Sequence, residues 1–360
     1  MHPATPCLIV DSQVVQNNLK RMQGYADQHG LRLRPHTKTH KSIHVGRLQM
    51  EAGAKGLTVA KAGEAAVMAN ASSDILMAYP PVGSERAEML ADLAKRIQVT
   101  AALDSEFAVD QLQQAVDRLG LTIGVLVDFD LGYGRTGVQS TEASVALAEY
   151  VERASGLRLD GMMLYAGHIS GSPESQREQM AKVEGQVDEL LTAWDTKGLC
   201  RDIISSGSTP SAMASHLVPA VNEIRPGTYV YNDMNIVRGG YATLDDCAAR
   251  IEATVISAAV KDQVVVDAGS KTLTSDLCGP APDSGHGYLV DYPEARIFRL
   301  TEEHAQVDVS QCERRPQIGE RVSIIPNHIC VCVNMQTSFW WSEPGEEMRL
   351  MPVDSRGLLV

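Results

Sequence analysis

TIGVLVDFDLGYGRTGV, residues 122–138, is the stretch on which the fold turns. Its first half, Thr122 to Asp128, is a short apolar run that reads as a strand. It breaks off at aspartates and glycines, the residues that mark a turn. Working outward, seven more such runs appear: LRLR (31–34), GLTVA (56–60), DILMA (74–78), QVTAAL (98–103), RLDGMMLY (158–165), DIISS (202–206) and NEIRP (222–226). Each is followed by a helix-like or turn segment. Ahead of them, residues 11–29 read as a helix, with Asp11 as N-cap, Val15, Leu19, Met22 and Ala26 on one face, and Gly30 at its end. Eight β/α units over roughly 230 residues is the size of a closed barrel with helices outside. The α/β class is therefore expected, as a (β/α)8 TIM barrel spanning residues 11–245. An open doubly wound sheet is the competitor, and the count favours the barrel.

Beyond residue 245 the rhythm changes. ARIEATVISAAV (249–260), QVVVDAG (263–269), ARIFRL (295–300), HAQVDV (304–309) and RVSIIP (321–326) are β-like runs separated by turns, with no long amphipathic helix between them. Residues 246–360 read as a C-terminal all-β domain. The opening run Cys7-Leu8-Ile9-Val10 is surplus to the barrel, so residues 1–10 are expected to pair with that domain.

The totals narrow the function. With 44% hydrophobic and 21% charged residues, the 360-residue chain has an ordinary globular composition. A net charge of −13 with no basic stripe argues against a nucleic-acid partner. No apolar run approaches the ~20 residues of a membrane span. Met1-His2-Pro3-Ala4-Thr5 lacks the pattern of a secretory signal. Seven scattered cysteines then read as reduced thiols, and the expected compartment is the cytoplasm.

In a barrel of this kind, chemistry sits in the loops after the strand C-terminal ends. After the first strand, RPHTKTHK (34–41) gathers two lysines, an arginine and two histidines. A lysine there, among cations and partly desolvated, can form a Schiff base. Lys38 and Lys41 are both available. After the fifth strand, the glycines of DFDLGYGRTG (128–137) permit close backbone approach, and Arg135 is a permanent donor for a phenolate or carboxylate. Tyr165 and His168 follow the sixth strand. Ser206, Gly207, Ser208 and Thr209 follow the seventh, with amides and hydroxyls suited to an anion, where such barrels bind phosphate. Arg225, Gly227 and Thr228 follow the eighth and can complete that cradle. In the β domain, PNHICVC (326–332) places His328 two residues before Cys330. On a strand the two share one face, and imidazole with thiolate suits zinc while leaving coordination positions open.

RPHTKTHKS (34–42), DLGYGRTGV (130–138), SSGSTP (205–210), RPGTYVYND (225–233) and PNHICVCVN (326–334) together resemble the fold-type III pyridoxal-phosphate (PLP) enzymes related to the N-terminal domain of alanine racemase. The resemblance is closest to the D-threonine aldolase/D-serine dehydratase branch and covers essentially the whole chain. It implies Lys38 as the cofactor lysine, with Arg135 beside the ring oxygen and Tyr165 and His168 as ring contacts. It also implies Gly207, Ser208, Thr209, Gly227 and Thr228 as the phosphate cradle, with Ser206 opening it, and His328 with Cys330 as the metal pair. Arg225 resembles the arginine that meets the pyridine nitrogen in alanine racemase. D-threonine aldolases carry Asp at the second metal position; Cys330 resembles the zinc-dependent D-serine and 3-hydroxyaspartate dehydratases instead.

The implied activity is a PLP- and divalent-metal-dependent lyase acting on D-3-hydroxy amino acids. Thiolate ligation favours zinc over manganese or magnesium, which tilts the reading toward dehydration to an oxo acid and ammonia. Retro-aldol cleavage to glycine and an aldehyde is the alternative. An amino-acid racemase and a non-catalytic PLP carrier are further alternatives; the metal pair, which racemisation does not require, counts against the first, and the β domain against the second. The resemblance also implies a homodimer. Tyr79, Tyr231 and Asp233 are candidates for the substrate wall.

Overall fold

The computed structural model describes residues 3–171, 173–278 and 285–360. The chain forms two compact units. One comprises Lys20–Lys38, Ser42–Gly227 and Leu358–Val360; the other comprises Met1–Leu19, Thr39–Lys41 and Thr228–Gly357.

Strand β1 (Cys7–Asp11) opens the chain. The first unit then holds eight parallel strands: β2 (Arg32–Leu33), β3 (Leu57–Val59), β4 (Asp74–Met77), β5 (Gln98–Leu103), β6 (Ile123–Asp130), β7 (Leu157–Tyr165), β8 (Ile203–Ser206) and β9 (Glu223–Ile224). Their order is β2-β9-β8-β7-β6-β5-β4-β3. A bridge between His36 and Thr58 joins the two ends, so the sheet curls into a (β/α)8-like barrel as expected. The strands are largely apolar because both faces are covered; in β6, seven of eight residues are buried. Leu76, Ala102, Leu126 and Met163 pack together as one buried cluster supplied by β4 to β7.

Helices such as Glu106–Asp117 and Thr141–Arg153 follow the strands. Ser105 and Ser140 cap these two, accepting from the N–H of Ala108 and Ala143. A register shift between β6 and β7 falls beside Gly161. Gly161 has φ +141°, and a Cβ there would run into the Ile203 carbonyl, so only glycine fits.

The second unit is built on β10 (Ala249–Ser257), whose residues alternate between buried and partly exposed. Around it lie β11 (Gln263–Val266), β12 (Tyr288–Leu289), β13 (Arg296–Leu300), β14 (Ala305–Asp308), β15 (Arg321–Ile325), β16 (Ser338–Ser342) and β17 (Arg349–Pro352). The order is β13-β14-β11-β10-β1-β16-β17, with β15 also on β10 and β12 on β15. As expected, the opening run belongs to this sheet: β1 pairs antiparallel with β10 and parallel with β16.

One local expectation is corrected. His328 and Cys330 do not share a strand: β15 ends at Ile325, His328 caps a short helix over Ile329–Met335, and Cys330 lies in its first turn.

Candidate functional site

The loop after β6 is shaped by Asp130. Its carboxylate accepts from the N–H groups of Gly132, Tyr133 and Gly134. Burial pushes the Asp130 carboxyl up, but the donors of the loop, Gly134 and Gly132 foremost, together outweigh it and hold the pKa below the usual range. The fold this gives the loop sets Arg135 over the Tyr165 ring, 4.6 Å from its centroid, with Tyr133 edge-on to Tyr165. His168 lies against the same loop: a Cβ on Gly132 would meet its ring at 3.9 Å. Arg135, Tyr165 and His168, named from separate strand ends, are thus brought together.

The loops after β8 and β9 meet at a buried arginine. Arg225 donates to Ser205 Oγ at 2.6 Å and to the Leu164 carbonyl at 2.9 Å, and its N–H donates to Ser206 O. Burial pulls its pKa down to about 10, opposed by the carboxylates of Glu223 and Asp128. Ser205 Oγ in turn donates to Glu223 Oε1 at 2.7 Å. The other Glu223 oxygen accepts from Arg34 Nε at 2.9 Å, and Arg34 also holds Asp74 through two parallel bonds of 2.7 and 3.0 Å. Burial alone would lower the Arg34 pKa; Glu223 and Asp74 reverse this and raise it. A continuous polar chain therefore runs inside the barrel from Asp74 to Arg225. Sequence reasoning passed over Glu223, which sat unremarked in a run read only as a strand.

Gly207 has φ +92°, which a side chain would strain. Ser206, Ser208 and Thr209 flank it with hydroxyls, and Ser208 already shares hydrogen bonds with Ser211 Oγ. His36 N–H donates to the Pro226 carbonyl, tying the Lys38 loop beside Gly227. Lys38 itself is exposed rather than partly desolvated, and its Nζ has no hydrogen bond or ion pair among the described residues. Lys41 is buried and donates to Ser355 O at 3.4 Å. Between the two lysines, only Lys38 presents its amine. A reachable amine, an arginine on a tyrosine face and a glycine-centred set of hydroxyls fit a phosphorylated aldehyde cofactor such as PLP.

Asp128, at the end of β6, was not singled out from the sequence. It is 2% exposed and accepts from Thr136 Oγ1 at 2.8 Å. Burial outweighs that bond and the nearby Arg225 and pushes its pKa up to about 6. A raised carboxylate pKa favours the folded state at low pH and loses that advantage as pH rises through the folded value. The stability of Asp128→Asn relative to wild type should therefore grow between pH 4 and pH 7, by about 2 kcal/mol at a pKa change of roughly two units. Urea unfolding of both proteins at the two pH values measures this; a constant difference would show that Asp128 ionises freely.

In the second unit, His328 and Cys330 converge although the backbone between them is not extended. The neighbouring Cys330 raises the His328 pKa to about 9 against burial. Burial pushes the half-buried Cys330 thiol up, but the His328 bond, aided by Thr39, brings it below its ordinary value. Thr39 Oγ1 lies 3.1 Å from Cys330 Sγ and Thr228 Oγ1 3.8 Å from it. Thr228, expected in the phosphate cradle, thus sits at the thiol. His328 Nδ1 is 3.2 Å from Asp276 Oδ2. An imidazole, a thiol of lowered pKa and ordered hydroxyls are a borderline-soft donor set that fits a zinc-like ion.

Two of the substrate-wall candidates are committed elsewhere. Tyr231 is 1% exposed. Asp233 spends both oxygens on the N–H groups of Ile236 and Ile329.

Comparison with known proteins follows the same lines. Residues 10–235 match the alanine racemase N-terminal domain family, and residues 248–340 match a serine dehydratase domain. The chain is 30% identical over 350 residues to D-threo-3-hydroxyaspartate dehydratase of Delftia sp. (strain HT23), covering 91% of this chain and 90% of that protein. It is 28% identical over 374 residues to D-serine dehydratase of Dictyostelium discoideum, covering 93% and 92%. The crystal structure of D-threonine aldolase from Filomicrobium marinum superposes with a TM-score of 0.91 at 30% identity, covering 99% of this chain and 97% of that one.

Proposed function

The chain belongs to the alanine racemase N-terminal domain family with a serine dehydratase domain behind it, and from that premise we propose that it is a PLP- and divalent-metal-dependent lyase acting on D-3-hydroxy amino acids, by dehydration to an oxo acid and ammonia. The observation that carries this reading is the meeting of the His328 imidazole and the Cys330 thiol, the ring anchored by Asp276 Oδ2 3.2 Å from Nδ1 and the thiol by Thr39 Oγ1 3.1 Å from Sγ. Thiolate ligation favours zinc.

Lys38 Nζ, exposed and without a partner among the described residues, is the amine that would hold the cofactor in the resting enzyme and take the α-proton of the substrate. PLP, when bound, supplies an electron sink for the charge left at that carbon. Arg135, fixed over Tyr165, would orient the ring from its oxygen side. Ser206, Gly207, Ser208, Thr209 and Gly227 would receive the phosphate. Arg225, locked by Ser205 and Leu164, cannot swing and presents a fixed charge. His328 and Cys330 would hold the metal, which supplies Lewis acidity toward the β-hydroxyl. Thr39 and Thr228 keep the thiol hydrogen-bonded.

Retro-aldol cleavage uses the same groups, and the D-threonine aldolase likeness keeps it in view. The test is a product assay on D-serine, D-threonine and D-threo-3-hydroxyaspartate. Oxo acid and ammonia should appear, a chelator should abolish them, and Zn2+ should restore them. Glycine without oxo acid would replace dehydration by the aldol reading. Turnover unaffected by complete removal of metal would remove the metal from the mechanism.

A further inference from the structure

We propose that Asp276 is the positioning residue of the metal pair: it fixes the tautomer and ring orientation of His328 so that the other ring nitrogen faces the metal. This rests on the reading that His328 and Cys330 hold a divalent ion.

A neutral imidazole can ligate through one nitrogen only if the proton sits on the other. In this chain Nδ1 is directed at Asp276 Oδ2, 3.2 Å away. A proton shared there leaves the Nε2 lone pair free. The carboxylate thereby selects which nitrogen can bind and holds the ring plane against rotation, as outer carboxylates do in metal sites generally.

Asp276 is held in place by devices that have no other evident use. Two residues before it, Thr274 is buried and sits at φ +69°, a conformation that a β-branched residue rarely adopts. Thr274 Oγ1 accepts from the Asp276 N–H at 3.1 Å. From the other side, Asn327 Nδ2 donates to the Asp276 carbonyl at 2.9 Å and to the Gly285 carbonyl at 2.8 Å. Asn327 is the residue immediately before His328. The side chain that clamps the Asp276 backbone and the ligand that Asp276 serves are therefore consecutive in the chain. Strain retained at one buried residue, with its product aimed at a functional side chain, points to a purpose for the strain.

Asp276 is not itself a third ligand in this arrangement. Among the described residues, no three His, Cys, Asp or Glu side chains gather in a geometry that could hold an ion. Its effect on the metal must pass through His328.

The experiment titrates metal-stripped protein with Co2+ and follows the thiolate-to-cobalt charge-transfer band, in wild type, Asp276→Asn, Asp276→Ala and His328→Ala. Losing an outer partner of this kind weakens metal binding roughly 10–100-fold. Asp276→Ala should show that loss, Asp276→Asn a smaller one, and His328→Ala should lose the band. Thermal midpoints of the stripped proteins should stay together, which separates positioning from a general defect; Asp276→Asn keeps the side-chain shape if the alanine variant folds poorly. Wild-type affinity in both Asp276 variants, with the band lost in His328→Ala, overturns the role of Asp276 and leaves the metal pair standing. No band in wild type overturns the metal reading and this proposal with it.

Discussion

Replacing Lys38 with alanine should remove both the visible Schiff-base absorbance of the purified protein and its turnover. The two losses have one cause, because the same amine would tether the cofactor and move the α-proton. Proton transfer by a positioned side chain alone contributes roughly 10²–10⁴-fold, so with the tether also gone kcat should fall by at least about 10⁴-fold. Added PLP should not restore it. Lys41→Ala is the control. Lys41 is buried, has φ +52° and donates to Ser355 O, so its substitution should cost stability and leave the absorbance band in place. A band that survives in Lys38→Ala and vanishes in Lys41→Ala would reverse the assignment. No band in wild type, even with PLP supplied, would end the proposed chemistry at its first step.

The second large effect is on stability. Arg34→Ala should destabilise the barrel unit by about 3–5 kcal/mol, the usual result of removing one partner from a buried ion pair. The magnitude comes less from the lost attraction than from what is left behind. Glu223 is 0% exposed, and Arg34 is its only cationic hydrogen-bond partner among the described residues. Without Arg34 its charge keeps one hydrogen bond, from Ser205 Oγ, and the more distant Arg225, with no route to water. Urea unfolding should show the loss for Arg34→Ala, and a much smaller one for the double variant Arg34→Met with Glu223→Gln, which removes both charges at similar volume. Additive losses in that cycle would mean that the pair is not coupled.

The barrel was readable because parallel strands covered on both faces must be apolar along their whole length, and helices must separate them. Each of the eight runs named from the sequence overlaps one of the barrel strands, and six contain it whole. The small strands of the second unit were harder. Tyr288–Leu289 is two residues long and leaves no periodic trace, and Ser338–Ser342 and Arg349–Pro352 were passed over as well. The helix at Ile329–Met335 was misread for a physical reason. ICVCV is β-branched and apolar, a good strand by local preference, yet Asp233 Oδ2 accepts the Ile329 N–H from 96 positions away and starts a helical turn. Distant contacts outvote local preference in such segments. Of the site, the motif residues stood out by crowding. Asp276 did not, because a single acidic residue 52 positions before His328 carries no pattern. Asp128 was in view inside a glycine-rich loop, but only its burial under Thr136 makes it unusual.

The place of β1 has a consequence for how the chain is made. This strand lies between β10 and β16, with Ile9 opposite both Arg250 and Trp340. It leaves the ribosome before both of them, and its last neighbour is about 330 residues downstream. At synthesis rates of ~5–20 residues per second, the interval is roughly 15–70 s. Throughout that time Cys7-Leu8-Ile9-Val10 is an apolar ribbon with open edges, the kind of segment that chaperones hold and that pairs wrongly when crowded. The barrel strands, by contrast, are complete once residue 224 has emerged. Shortening or tagging the first ten residues should therefore lower the yield of soluble protein far more than the small length removed would suggest, because the missing piece is an interior plank of the sheet and not its fringe.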